Sequence, residues 1–320
     1  MISSLTSKLV LAARYLQKKT YRPAPTHLSL EVTKRCNAKC TFCDYWKEKV
    51  PEVEIDYSSL QKLIKPLVIS ITGGEPLLKQ NLTSIIKDLR RNDSAVYILM
   101  ITNGALLTYE KALELKKAGL NQLSISLDYL GEKHGQHRGI PGLYEKITKL
   151  LPQISKIGFD LVAFNTVIMD DNLGDIPKIV ELAKKNKIQV SFSSFSDMKN
   201  NNQNLWVKPA NLSKLTDLIA FLKKTKKENK RLIKSSNYYL DNVINYFTGK
   251  DIYNCPAGKF WILVTPDGKI KRCAEMDSAC DVSEYTLKTF VPTKCIQCWY
   301  SCRGEAQCPI NLDRLKDLVG

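Results

Sequence analysis

The sequence predicts an α/β fold: a partial (β/α)6, TIM-like barrel followed by a small, cysteine-rich extension built on a C-terminal β-hairpin. Three observations predict it. Six short β-rich runs alternate with amphipathic helical segments between Leu28 and Phe195. A full eight-unit barrel would need more chain than is present before Cys255. Beyond Cys255 the pattern changes to an alternating hairpin set among clustered cysteines. At 320 residues, 44% hydrophobic and 25% charged, the chain is long and apolar enough to bury a large core.

Residues 2–20 place Leu5, Leu9, Ala13 and Leu16 near helical spacing, with Lys8, Lys18 and Lys19 off that stripe. This reads as an amphipathic basic helix that either packs on the barrel or touches a membrane surface. The linker TYRPAPT follows, Pro23 and Pro25 blocking helix. Strands are expected at LSLEV from Leu28, LVISI from Leu67, AVYILMI from Ala95, QLSISL from Gln122, LVAFNTVI from Leu161 and IQVSFSSF from Ile188. The intervening helices start behind Asp56, Asn81, Thr108 and Asp175, residues whose side chains cap helix N-termini, and Gly119 and Gly158 stand where helix stops are expected. Repeated βα units argue for parallel strands joined by right-handed crossovers, with the active face formed by the loops that follow the strands. The polar segment MKNNNQNLW from Met198 reads as a flexible loop, and two basic helices around 211–230 and 235–248 bridge onward. The chain therefore divides into an N-terminal helix and linker (1–25), the barrel (26–205), a helical bridge (206–250) and the cysteine-rich extension (251–320).

Charge and cysteine content narrow the class. Lys and Arg number 48 against 32 Asp and Glu, a formal +16, which raises nucleic acid, anionic lipid or an anionic substrate as partners. The plainer reading spreads these lysines over solvated helix faces, as in KKAG, KKNK and KKTKKENK. No appended RNA-binding motif is visible, which disfavours nucleic acid. The ten cysteines fall into one triplet and one C-terminal group, a pattern of metal ligation rather than disulfides, and so of a reducing cytoplasm. The N-terminal apolar run LVLAA is far short of a membrane span.

The chemistry centres on CNAKCTFC, residues 36–43. Thiolates from Cys36, Cys40 and Cys43 can hold three irons of a [4Fe–4S] cube. The next cysteine is Cys255 and His27 lies behind a strand, so no local fourth ligand is evident and one iron stays open for a small chelating molecule. A structural zinc site is the alternative; it wants four ligands and usually paired Cys-x-x-Cys spacings. A second signal, ITGGEPLL, puts Gly73, Gly74, Glu75 and Pro76 directly after the second strand. Glycines there permit a turn that brings main-chain groups close to a ligand, and a carboxylate can accept from an ammonium group.

The Cys-x-x-x-Cys-x-aromatic-Cys triplet with GGEP one βα unit later resembles the radical S-adenosylmethionine (radical SAM) superfamily. The resemblance implies that SAM chelates the open iron through its amino and carboxylate groups, that Phe42 lies against the adenine, and that Gly73, Gly74, Glu75 and Pro76 hold the methionine amino group. It further implies that Asn103 in ITNG, and Ser126 and Asp128 in SISLD, contact the ribose or methionine portion, that Asn165 reaches the same cavity, and that Arg138 meets the SAM carboxylate. A capped turn or internal hydrogen bond is the ordinary alternative at the positions after Asn103. His134 and His137, flanking Arg138, read as loop bystanders.

Near the C-terminus, Cys255 opens CPAG, Cys273 ends PDGKIKRC, and CIQCWYSCRGEAQC supplies Cys295, Cys298, Cys302 and Cys308. Phe260 to Cys273 alternates around a Pro-Asp-Gly turn. This region resembles the SPASM and twitch domains, β-hairpin extensions of radical SAM enzymes that bind auxiliary iron–sulfur clusters. It departs from a full two-cluster SPASM domain, which has a longer gap in its second cysteine group and a further distal cysteine. Seven cysteines remain outside the triplet, counting Cys280, whereas two clusters with all-cysteine ligation would need about eight. One auxiliary [4Fe–4S] cluster on Cys255, Cys273, Cys295 and Cys298 is therefore expected, with Cys280 a plain thiol. The rivals are a second, incompletely ligated cluster using Cys302 and Cys308, and a C-terminal zinc site.

The activity implied is reductive cleavage of SAM to methionine and a 5′-deoxyadenosyl radical, which removes hydrogen from an unactivated carbon. An electron donor such as flavodoxin or ferredoxin would feed it. The expected substrate is a peptide, protein or small metabolite, although the stretch before the first strand is too short for a folded peptide-recognition module. The alternatives are a membrane lipid or isoprenoid substrate and a non-enzymatic iron–sulfur electron-transfer protein. The latter needs neither GGEP nor an open iron.

Overall fold

Six parallel strands follow one another around the sheet in chain order: β1 (His27–Thr33), β2 (Val68–Gly73), β3 (Tyr97–Thr102), β4 (Gln122–Ser126), β5 (Leu161–Ile168) and β6 (Gln189–Ser194). The computed structural model describes residues 13–17, 25–250, 252, 254–289 and 295–309. Between the strands run α1 (Tyr57–Ile64), α2 (Leu82–Asn92), α3 (Tyr109–Ala118), α4 (Glu132–Arg138), α5 (Leu143–Ile154) and α6 (Ile176–Lys185). The Asp56 and Thr108 side chains accept from the Ser59 and Lys111 amides, each at 3.1 Å, as helix caps. Asn81 precedes α2 without a side-chain cap bond, and Gly119 ends α3 in the left-handed region at φ 111°. Gly158 lies in the turn beyond Ser155, which caps α5.

Alternation along the strands creates two faces of different chemistry. Leu28, Leu30, Ile69, Ile71, Ile98, Met100, Leu123, Phe164 and Phe192 are buried in one continuous core with the apolar sides of the helices. The opposite face pairs Ser29 with Ser70, Glu31 with Thr72, Ser126 with Asn165 and Asn165 with Ser191 across neighbouring strands. This face lines the partial barrel's lumen. His27 Nε2 meets Ser70 Oγ at 2.6 Å, and Ser191 Oγ donates to Asn165 Oδ1 at 3.1 Å. Leu99, Ile101 and Ala163 share this face, opposite Ser70 and Ser124, so the lumen carries hydroxyl, amide and carboxylate groups interspersed with apolar side chains.

The expected C-terminal hairpin continues this sheet. β7 (Trp261–Val264) runs parallel to β1, then β8 (Lys269–Lys271) and β9 (Ser278–Asp281) pair antiparallel beyond it. Both helices expected there form, α7 (Leu212–Glu228) and α8 (Asn237–Phe247), but only α7 is basic: α8 carries one Asp and no Lys or Arg. A final short helix, α9 (Ser301–Gln307), follows the cysteine group and packs on both β6 and α8. Buried Trp299 stacks on Tyr239, ring centroids 6.0 Å apart, and its indole donates to the Tyr239 carbonyl at 3.0 Å. The Ser194 amide donates to the Trp299 carbonyl at 3.3 Å, while the Cys255 amide, ahead of β7, donates to the Cys295 carbonyl at 3.0 Å. The cysteine segment therefore ties the β6 edge to the chain entering β7 and spans the opening left by the incomplete barrel.

Two local expectations are corrected. The Asn-rich segment from Met198 is not a loose loop: it forms 3-10 turns at Asp197–Lys199 and Gln203–Leu205, capped by Ser196 and Asn202. Asn200 and Asn202 each donate to the Thr41 carbonyl, at 2.8 and 2.9 Å. Short polar side chains that hydrogen-bond nearby backbone impose order in place of apolar packing. The stretch holding His134 and His137 is likewise helical, as α4. Of the expected N-terminal helix only 13–17 are described; these are helical, with Tyr15 buried and Arg14 paired to Asp93 at 3.2 Å, and Leu5 and Leu9 lie outside the described residues.

Candidate active site between two cysteine groups

The cysteine triplet sits in the loop leaving β1, held from below by the end of β2. The Gly74 amide donates to the Thr33 carbonyl at 2.7 Å and the Glu75 amide to the Arg35 carbonyl at 2.8 Å. A Cβ on Gly73 or Gly74 would lie 2.2 Å from the carbonyl oxygens of Thr33 and Arg35 respectively, so side chains are excluded by backbone. Pro76 opens a 3-10 turn, Pro76–Leu78. Glu75 is fully buried; Oε1 accepts from Thr102 Oγ1 at 2.7 Å and the Leu77 amide at 3.0 Å, and Oε2 accepts from the Asn103 amide at 2.7 Å. Burial pushes its carboxyl up, against the pull of these donors and Arg138. Asn103 in turn donates from Nδ2 to Asn37 Oδ1 at 2.8 Å, inside the triplet loop. GGEP thus locks the ends of β2 and β3 to the cysteine loop.

From the other side the loop rests on α4. The Lys39 and Thr41 amides donate to the carbonyls of Arg138 and His137, at 2.9 and 3.0 Å. His137 Nδ1 lies 2.7 Å from Thr41 Oγ1, and its ring packs against Phe42 (5.0 Å) and edge-on to Tyr129 (4.7 Å). The histidines expected to be bystanders are structural: the Asp128 amide also donates to His134 Nδ1, at 3.4 Å. Burial lowers His134 to about 3 and His137 to about 4. Arg138 Nη2 pairs with Asp128 Oδ2 at 2.5 Å, both side chains buried, and Nη1 stands 3.8 Å from Cys40 Sγ. Burial would raise the Asp128 carboxyl, but Arg138 outweighs it and holds the group below its usual range. Cys36, Cys40, Cys43, Phe42, Glu75, Asn103, Asp128 and Arg138 thus form one connected site, while Ser126 and Asn165 form a pair on the lumen wall.

The donor set suits a multi-iron cluster. Burial pushes the Cys40 thiol up to about 11 and raises Cys36, with Arg138 opposing and the neighbouring Cys43 adding to both. Among the described residues no three His, Cys, Asp or Glu side chains converge on one metal ion. A cube does not need its ligands to meet at one ion, because each thiolate takes its own iron.

The second cysteine group lies across the barrel opening. Cys255, Cys273, Cys295 and Cys302 gather around Ala257 and Trp261. Burial pushes Cys255 up to about 12 and Cys273 to about 11, and Cys298 acts on both. Cys302, which the rival reading paired with Cys308, is in this same nest: its thiol is raised by burial and then by Cys298, Cys255 and Cys273. Cys308 is buried with Sγ 3.7 Å from the Pro309 carbonyl, and Cys280 is on β9. Fully buried Arg303 donates to the Cys298 carbonyl at 2.5 Å and lowers Cys298 and Cys255.

Between the two groups lies a set of residues that no motif announced. Lys34 pairs with Glu31 at 2.9 Å and Glu48 at 3.1 Å, and its ammonium stands 3.6 Å from the centre of the Tyr45 ring. Lys199 approaches the same ring at 4.2 Å. Tyr300 donates to Glu275 Oε1 at 2.8 Å. Burial, then Glu31, Glu275 and Cys43, push the Tyr45 phenol well up. The one local signal was Tyr45 itself, two residues after Cys43.

The sequence profile of the radical SAM superfamily matches residues 30–183, from within β1 to within α6. A GTP 3′,8-cyclase of Peptoclostridium acidaminophilum is 30% identical over 279 residues, covering 80% of this chain and 82% of the relative. A GTP 3′,8-cyclase of Helicobacter pylori (strain HPAG1) is 30% identical over 285 residues, covering 81% and 83%. In fold, the structure of Streptococcus suis SuiB bound to precursor peptide SuiA is similar at a TM-score of 0.65 and 18% identity, over 86% of this chain. This chain spans 66% of the SuiB chain's length. With the triplet, GGEP and the six parallel strands in place, the chain belongs to the radical SAM superfamily, an enzyme whose cofactors are a [4Fe–4S] cluster and S-adenosylmethionine.

Proposed function

We propose that Cys36, Cys40 and Cys43 hold the SAM-binding cluster and that the enzyme removes hydrogen from an unactivated carbon of a polar substrate, a small metabolite or peptide, held in the lumen. Cluster and SAM together supply the 5′-deoxyadenosyl radical. Phe42, Gly73, Gly74, Glu75, Pro76, Asn103, Ser126, Asp128, Arg138 and Asn165 position SAM at the barrel mouth, Arg138 facing both Cys40 and the SAM carboxylate. The C-terminal nest holds one auxiliary [4Fe–4S] cluster, with Cys302 competing with the expected four ligands. An external one-electron donor of the flavodoxin or ferredoxin kind reduces the enzyme.

The observation that carries this reading is the lumen lining. Ser29, Glu31, Ser70, Thr72, Ser126, Asn165 and Ser191 share the inner face. An isoprenoid or acyl chain placed there would desolvate those of these groups that have no partner on the wall, at about 1–3 kcal/mol each. The lipid alternative is therefore disfavoured. Among the described residues no helix is long and apolar enough to cross a membrane. GTP is a second reading, favoured by the relatives of that name, which align over 80% of this chain. The test is anaerobic reconstitution followed by dithionite and SAM. About 8 irons per chain and 5′-deoxyadenosine formation are expected, with Cys40→Ala abolishing the latter; about 4 irons would remove the auxiliary cluster. Iron retention after Cys302→Ser, against loss after Cys298→Ser, would restore the expected ligand set.

A further inference from the structure

We propose that Trp46 and the lysines around it, Lys39, Lys47 and Lys49, form the docking surface for an acidic one-electron carrier protein. This rests on the reading above that an external donor reduces the cluster held by Cys36, Cys40 and Cys43, and says where on the chain that donor sits.

Electron tunnelling weakens steeply with distance, so a carrier must seat where a cluster ligand comes near solvent. Cys36 is half-buried and lines an open cleft of about 460 Å³ together with Lys34, Arg35, Trp46, Glu48 and Lys49. No inner-face residue of the strands lines this cleft, so it reaches the triplet from outside the substrate chamber. Trp46 is 37% exposed, and two ammonium groups flank its ring, Lys47 at 5.2 Å and Lys39 at 5.5 Å from the centroid. Most carboxylates of the segment are already matched. Asp44 pairs with Lys47 at 3.0 Å, Glu48 with Lys34 at 3.1 Å, and Glu52 with Lys79 at 2.8 Å and Arg35 at 3.1 Å. Lys39 and Lys49 are exposed and make no ion pair among the described residues. Of the carboxylates in 34–54 only Glu54, beyond the cleft wall at Pro51, shares that condition among them.

This face therefore offers a partner an aromatic centre ringed by positive charge. Protein interfaces use an exposed aromatic as anchor and a charged rim to steer the encounter. An acidic protein complements both, and the formal +16 of the whole chain draws it from further off. Electron-transfer complexes are small, burying less than about 1,200 Å² in total, so one anchor and a few cations suffice. The platform is also fixed. Tyr45 is buried beneath it with the Lys34 ammonium 3.6 Å from its ring centre, and the Val53 amide donates to the Pro266 carbonyl at 2.9 Å, fastening the segment to the turn between β7 and β8. A small anionic molecule in the cleft would meet the same lysines but would lie outside the chamber in which hydrogen is removed. The carrier gives up one electron for each SAM cleaved and leaves oxidised.

The test compares reductants on reconstituted full-length enzyme: dithionite, a small ion that needs no protein surface, against reduced acidic flavodoxin and ferredoxin. Lys49→Glu and Trp46→Ala should each leave dithionite-driven 5′-deoxyadenosine formation within about twofold. Each should raise the carrier concentration giving half-maximal rate about tenfold at low salt, and weaken calorimetric binding of the oxidised carrier by a similar factor. Carbodiimide cross-linking should join Lys39 or Lys49 to a carrier carboxylate. Lys227→Glu, the same charge reversal on α7, is the control and should change carrier dependence less than about twofold. Equal weakening by Lys227→Glu and Lys49→Glu means that only net charge is felt and overturns the docking surface. Unchanged carrier dependence in both Lys49→Glu and Trp46→Ala overturns it as well, as does a matching loss of dithionite-driven cleavage, which marks a structural role. Cleavage with dithionite but with neither carrier removes the docking surface and leaves the SAM chemistry standing, whereas no cleavage with any reductant sinks both.

Discussion

Asp128→Asn should be among the most damaging conservative changes in the protein. The carboxylate is fully buried; Oδ2 holds Arg138 Nη2 at 2.5 Å and Oδ1 accepts from the Val167 amide at 2.9 Å. Asparagine can keep one acceptor but turns an amide toward the guanidinium, leaving Arg138 buried beside a donor. Removing one partner of a buried ion pair costs about 3–5 kcal/mol, a large share of the roughly 5–15 kcal/mol that a folded protein has in total. The damage should spread, because the Arg138 and His137 carbonyls seat the triplet loop. Urea unfolding of the anaerobic full-length protein at neutral pH measures the loss. Adding Arg138→Met removes the stranded charge, so the double variant should be less destabilised than the sum of the singles by about 2 kcal/mol or more. Because Asp128 is held below its ordinary 3.8, its contribution is present above that value and lost as pH falls through the lower folded value. The penalty of the substitution should therefore shrink below about pH 4. A cost under about 1 kcal/mol at neutral pH, or strictly additive singles, would refute the pairing argument.

Other predictions follow from the same contacts. Asn200→Ala and Asn202→Ala should each cost about 1 kcal/mol, and together hasten amide exchange in 197–205 and around Thr41; unchanged exchange would mean that the loop does not clamp the triplet. Gly74→Ala places a methyl 2.2 Å from the Arg35 carbonyl oxygen and should destabilise by about 3 kcal/mol with loss of iron incorporation, checked by urea midpoint and iron content. His27, 2.6 Å from Ser70 Oγ, is lowered by burial from 6.5 to about 4. The unfolded chain therefore binds a proton that the folded one rejects, and stability should fall between pH 6.5 and 4 by up to about 3 kcal/mol. His27→Gln should flatten that limb of the urea-midpoint profile; an unaltered profile would assign the pH dependence elsewhere.

Much of the barrel was legible because its signals are local. LVAFNTVI is β5 from end to end, and the other strands begin within a residue or two of their expected starts. The third starts at Tyr97 rather than Ala95 because Asp93 Oδ1 takes the Ala95 amide at 2.9 Å and turns the chain first. The triplet and GGEP were readable for the same reason, each being a short run with fixed spacing. Their internal roles were not: the buried Glu75 carboxylate is satisfied by Thr102 and Asn103 from the next strand's end, which no local pattern reveals.

What escaped the sequence depends on the chain returning to the barrel after a long excursion. Lys199 meets the first cysteine group only because two asparagines fasten its loop to Thr41. Tyr300 meets Glu275, which lies between β8 and β9, only because the C-terminal segment crosses from the Cys255 loop to β6, where Trp299 is buried on Tyr239. The same crossing explains why a six-stranded barrel suffices. Its open edge is covered by the segment that carries the second cysteine group, so ligation there and the lining of the polar chamber are consequences of one packing event. A perturbation of that packing should consequently reach both functions together, whereas a change confined to the β2 and β3 loop ends should act on the first cysteine group and leave the second in place.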